Sequence, residues 1–147
     1  MRQILFRGKR KDNGKWVEGD LLTHNKRSFI CKKDGHKWLP NDAGGEDLFK
    51  DELLSECVCE VIPATVGQFT GLLDKNGKEI CEGDVVRFPD GKGAIAWSDN
   101  FCGWQISTEN WNYRLSQYAV EHVLAVIGNV FDNPELLKEG TDAEQSH

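Results

Sequence analysis

Apolar and polar residues alternate along this chain in short runs cut by Gly, Asn and Asp, and that two-residue rhythm predicts strands and tight turns. The best-specified stretch is residues 68–88. There Asp74-Lys75-Asn76-Gly77 separates two apolar runs, and Asn-Gly is the pair a tight hairpin requires, because both central positions take positive φ. A second turn at Glu82-Gly83-Asp84 leads into Val85-Val86 and a further strand. Gly71, Asn76, Gly77, Gly83 and Asp84 therefore read as a structural turn motif, set by backbone geometry more than by chemistry.

Upstream, residues 2–7 predict a strand that Gly8 ends, and residues 15–18 return beside it across Asn13-Gly14. Gly19-Asp20 is expected to turn the chain into residues 21–23, and residues 28–31 to pair with 37–39 around Asp34-Gly35. Residues 40–47, with Pro40 and Gly44-Gly45, read as a flexible loop, followed by a short helical stripe of Leu48, Phe49, Leu53 and Leu54. Residues 57–62 alternate as a strand that Pro63 stops. Downstream, residues 94–97 and 101–107 are strands around Ser98-Asp99-Asn100, and residues 123–130 form an apolar run suited to a buried closing strand. Asn133-Pro134-Glu135 opens a short helix, and residues 139–147 are expected to be a disordered tail.

The fold class that follows is mainly β and hairpin-rich. It has two β subdomains at 1–62 and 63–138, one or two short helices, and an SH3-like or half-closed barrel in the C-terminal half. The two hairpins also echo each other. Phe6-Arg7-Gly8, Asp12-Asn13-Gly14-Lys15 and Glu18-Gly19-Asp20 are matched by Phe69-Thr70-Gly71, Asp74-Lys75-Asn76-Gly77-Lys78 and Glu82-Gly83-Asp84. This is either an internal duplication or two hairpins arriving separately at the residues that hairpins need.

Composition places the chain among ordinary folded domains, with 39% apolar and 29% charged residues. No apolar run approaches a membrane span, the short first segment is charged too early for a signal peptide, and five irregularly spaced cysteines do not form a disulfide framework. A cytoplasmic setting with reduced thiols is expected. The net charge of −6 conceals an asymmetry: residues 1–37 hold eleven Lys and Arg against four acids, leaving −13 for the remainder. A basic first quarter could hold nucleic acid, or dock against the acidic part of its own or a neighbouring chain.

Candidate chemistry is sparse. Cys31, His36, Cys57 and Cys59 include zinc-type ligands, but Cys-x-Cys is not the usual spacing, and on a strand Cys57 and Cys59 would share a face and pack as small apolar groups. Glu18, Asp20, Glu82 and Asp84 read as turn residues, and Glu121 and His122, taken as strand neighbours, would face opposite ways. No nucleophile motif or phosphate loop is present, so the expectation is a non-catalytic protein without a cofactor. Trp97, Trp104, Trp111 and Tyr113 crowd together and either fill a small barrel or line a binding face; Lys9, Arg10 and Lys11 supply a basic loop. The candidate binding residues are Trp104, Trp111, Tyr113, Lys9, Arg10 and Lys11.

Val66-Gly67-Gln68-Phe69-Thr70-Gly71-Leu72, Asp74-Lys75-Asn76-Gly77-Lys78-Glu79-Ile80 and Glu82-Gly83-Asp84-Val85-Val86 together resemble the YopX family of phage and prophage proteins. The likeness reaches both ends, through Ile4-Leu5-Phe6-Arg7-Gly8 and Asn133-Pro134-Glu135-Leu136-Leu137, while residues 26–55 carry little of it. Cys81 stands where an aromatic residue is expected in that family. The resemblance implies a small β-rich protein of a bacterial host's cytoplasm, capable of homo-oligomerisation, with no established activity. Two functions stay in play: a self-associating binding or assembly module, and a nucleic-acid-binding accessory protein.

Overall fold

The first Asn-Gly pair does turn a hairpin. In a computed structural model of the chain, which describes residues 4–32 and 58–138, Gly14 sits at φ +71° between β1 (Phe6–Lys9) and β2 (Trp16–His24). The expected strand at 37–39, loop at 40–47, helical stripe at 48–54 and tail at 139–147 lie outside the described residues. The chain divides into two units, Met1–Gln68 and Phe69–His147.

In the first unit β2 also pairs with β3 (Arg27–Lys32), which pairs with β4 (Val58–Val61), all antiparallel. Gly67 and Gln68, the start of β5 (Gly67–Leu73), lie beside Arg7 and Phe6 of β1. Two glycine expectations fail here, for one reason. Gly8 lies inside β1 rather than ending it, because Val61 presses on its backbone: a Cβ there would meet Val61 Cγ2 at 3.0 Å. Gly19 is not a turn but the middle of β2, paired with Phe6 on one side and Lys32 on the other, where a Cβ would collide with the Cys31 carbonyl oxygen. Both are close-approach glycines in a strongly curled sheet. The curl brings residues just past β1 onto β4: Lys11 N donates to Glu60 O at 3.0 Å and Ile62 N to Lys9 O at 2.8 Å. Among the described residues of this unit, Leu5, Ile30, Cys59 and Val61 are the buried apolar side chains.

The second unit continues β5 into a hairpin with β6 (Glu79–Cys81). It then runs through β7 (Asp84–Phe88), β8 (Gly91–Ser98), β9 (Gly103–Ser107), β10 (Asn112–Arg114), α1 (Leu115–Val120) and β11 (Ala125–Asn129). The strand order is β10-β9-β8-β7-β11, so the last strand returns to β7 and the sheet stays open between β10 and β11 among the described residues. Ile80, Val86, Phe88, Ile95, Ile106, Leu115, Ala119 and Leu124 make the core, each burial worth about 1.5–3 kcal/mol for the larger side chains.

Helix α1 carries no signal in the sequence. Its six residues have no side-chain cap and no acid in the first turn, so it is held by burying Leu115 and Ala119 rather than by local signals. The expected helix near 134 is a 3-10 turn, Pro134–Leu137. It packs so closely on β11 that a Cβ on Gly128 would meet Asn133 Oδ1 and Leu136 Cδ1, each at 2.6 Å. The closing strand is half-buried throughout and bulged between Val126 and Gly128. The two echoing hairpins share a positive-φ glycine in their Asn-Gly turns and differ on both sides of it: Gly8 and Gly19 stay within β1 and β2, whereas Gly71 and Gly83 take φ of +88° and +90°. The mainly β fold with two antiparallel sheets is as expected.

The turn joining β2 and β3 has Asn25 at φ +50° and Lys26 at φ +64°, the two positive values of a type I′ hairpin, with lysine where glycine is preferred. Lys26→Gly should therefore stabilise the protein by about 0.5–1 kcal/mol, read as a higher urea midpoint at unchanged slope.

Candidate functional site

The basic loop is bound to its own surroundings. Arg10 donates to Asp12 through Nε at 2.9 Å and Nη2 at 2.6 Å. Lys11 Nζ reaches Glu60 Oε2 at 2.9 Å, and Arg27 grips the same carboxylate from two nitrogens at 3.0 and 2.7 Å. The Arg27 hydrogen bonds, then Lys11, pull the Glu60 carboxyl down to about 2. Lys9 Nζ stands 5.5 Å over the Trp16 ring, which the Arg7 guanidinium also covers at 4.8 Å, a cation–π arrangement on the β1–β2 hairpin.

The aromatics of the second unit separate by role. Trp104 faces Trp97 across β8 and β9, edge-on at 5.3 Å, and Trp97 Nε1 donates to Asp99 Oδ1. Tyr113 belongs to an edge-to-face trio with Phe88 and Tyr118, with ring centroids 5.0–5.8 Å apart, so its ring is packing. Tyr118 Oη donates to Asp90 Oδ2 at 2.6 Å, and that carboxylate pushes the phenol up to about 12. Trp111 instead stands 67% exposed on the turn between β9 and β10, seven residues after Trp104 and outside the Trp97–Trp104 pair. The residues named from sequence thus do not converge on one site.

The turn motif holds its left-handed backbone through its glycines alone. Asn76, like Asn13, is not at positive φ, so neither Asn-Gly turn has both central residues left-handed, because Asp74 closes the second turn by accepting from Asn76 N and Lys78 N. Gly71, Gly77 and Gly83 take φ of +88°, +82° and +90°. Asp84 is buried, and its Oδ2 accepts from Cys81 N at 2.8 Å. The Asn76-Gly77 turn is organised by an aspartate outside the five residues of the motif. Buried Asp74 accepts from Asn76 N at 2.8 Å, Lys78 N at 2.9 Å and, through its other oxygen, Val126 N at 2.9 Å, which staples the hairpin to β11. Burial pushes its pKa up, but the amides of Val126, Lys78 and Asn76, with the Lys78 charge, outweigh that and leave it lowered.

Against this hairpin lies a depression of about 420 Å³, lined by Leu72, Leu73, Lys75, Ala119, Val120 and His122. Leu73 is 51% and Val120 76% exposed, so the lining is apolar and open. Glu121 and His122 close α1 instead of occupying a strand, and His122 is held at φ +55°. A second groove of about 610 Å³ runs along β8 and β9 beside Lys92, Ser107 and Glu109. Among the described residues no three His, Cys, Asp or Glu side chains are placed to hold a metal; His36 and Cys57 lie outside them, while Cys59 is buried and Cys31 lies on the neighbouring strand.

A comparison with protein families matches residues 5–138 to the family described as YopX protein. The chain belongs to the YopX family. The crystal structure of protein EF1440 from Enterococcus faecalis is similar to this YopX chain at a TM-score of 0.56 and 22% identity, covering 94% of this chain and 100% of the other, a likeness of fold. A comparison with curated proteins finds no match. No helix among the described residues of this YopX protein is long and apolar enough to cross a membrane.

Asp74 stabilises the YopX fold only while ionised. Its native pKa is lowered, so its contribution is complete above the ordinary carboxylate value near about 4 and is lost as the pH falls through the lower native value. Asp74→Ala should cost about 3 kcal/mol or more at neutral pH, since three amides lose a charged acceptor, and should flatten the acid limb of stability. Urea unfolding across the acid range measures both; an unchanged pH profile would contradict the staple.

Proposed function

We propose that this protein is a non-catalytic, self-associating binding or assembly module, encoded by phage or prophage and working in the cytoplasm of a bacterial host. The observation that carries this reading is the set of large apolar side chains left open on the second unit: Leu73, Trp97, Trp111 and Val120 are each half or more exposed. Leu73 and Val120 lie together in one open apolar depression, and a contiguous apolar surface of this kind is where a partner's side chain is buried. The unit's strand order, a meander from β7 to β10 with β11 returning to β7, supports reading it as an SH3-like, half-closed barrel that serves as a rigid carrier for those side chains.

Nucleic-acid binding is the second reading, and one observation favours it: Trp16 carries two cations, Arg7 and Lys9, on its ring, a pairing suited to a base and its phosphate. It is weakened by the ion pairs that already engage Arg10, Lys11 and Arg27.

Size-exclusion with light scattering over a range of concentrations should give a mass that is a multiple of the single chain and survives high salt, because the contact is apolar. A monomer under all conditions would reject self-association. Titration with single-stranded DNA at low salt is expected to show no binding, whereas an affinity falling linearly with log salt would favour the second reading.

A further inference from the structure

Trp111 and the depression beside the signature hairpin complement each other, and one chain carries both. Trp111 is the most exposed aromatic side chain among the large apolar residues left open, and its backbone is fixed: Thr108 Oγ1 donates to Trp111 O at 2.6 Å, while Trp111 N donates to Thr108 Oγ1 at 3.0 Å. An indole presented on so stiff a turn loses little entropy when it is buried. The depression of about 420 Å³ has room for an indole, apolar walls in Leu72, Leu73, Ala119 and Val120, and a rim carrying Lys75 and His122. Glu109 stands two residues before the tryptophan, so the projection brings an acid towards Lys75, while the one carboxylate of the lining, Asp74, is buried and turned to its three amides.

We infer that Trp111 of one copy inserts into the Leu73–Val120 depression of a second copy, with Glu109 meeting Lys75. This rests on the self-association reading and names its contact. Each copy carries one projecting and one receiving surface, so the contact either closes reciprocally as a two-fold dimer or runs head-to-tail into a ring or an open chain, and the mass measured by light scattering separates these.

The test uses two variants of the full chain, Trp111→Ala, which lacks the projection, and Val120→Glu, which blocks the depression and repels Glu109. Both positions are exposed, so circular dichroism and melting temperature should match the wild type. Light scattering should show the wild type assembled and each variant alone monomeric, with self-affinity weakened about 30-fold or more. Mixed together, the variants should form a two-chain species, because Trp111 of the Val120→Glu copy still fits the intact depression of the Trp111→Ala copy. If either variant assembles like the wild type, or if the mixture stays monomeric, the contact is wrong although self-association stands. If the wild type is itself monomeric, the self-association reading falls and this contact with it.

Discussion

The second unit depends on one buried carboxylate. Asp74 gives up its hydration to accept three backbone amides, two from its own turn and one from β11, a strand far along the chain. A buried anion is tolerable only when so satisfied, and the satisfaction fixes geometry: the turn cannot open without stranding a charge, and β11 cannot slip without losing an amide partner. Asp84 repeats the device at the next turn through Cys81 N. The chain between them, β6 and its flanks, is thereby clamped at both ends, which leaves Ile80 pointing into the core with no freedom to do otherwise.

The first unit is built on a different constraint, the contact distance between backbones. Gly8 and Gly19 let the sheet curl more tightly than any side chain would allow, and the curl brings Lys11 onto Glu60, which Arg27 already meets diagonally across the β3–β4 ladder. Surface charge is here a by-product of shape. The basic character of the first quarter is real in number, yet part of it is cancelled by acids that the curl delivers.

Turns were legible in the sequence because their chemistry is local: Asn13-Gly14 and Asn76-Gly77 need only their own neighbours to declare themselves. The mainly β character and the family likeness followed from the same local signals. What stayed hidden depended on distant partners. A glycine that turns the chain and one that makes room for a carbonyl look identical in sequence, so Gly8 and Gly19 were read as breaks. Helix α1 has no local signal because its stability comes from Leu115 and Ala119 meeting β-strands elsewhere, and Val120, missed with it, is what opens the depression. Trp104, Trp111 and Tyr113 were grouped by proximity along the chain; a strand's pitch then spread them between a cross-strand pair, an exposed turn and the core.

Those same Asn-Gly turns carry a chemical liability. Asparagine followed by glycine is the pair most open to succinimide closure, in which the glycine amide nitrogen attacks the asparagine side chain and the residue ages into aspartate or isoaspartate. In this fold both attacking nitrogens are already committed: Gly14 N donates to Arg10 O at 2.9 Å and Gly77 N to Asp74 O at 3.0 Å. The hydrogen bonds that close the turns therefore also slow their covalent decay, and the folded state is the chemically durable form of the chain.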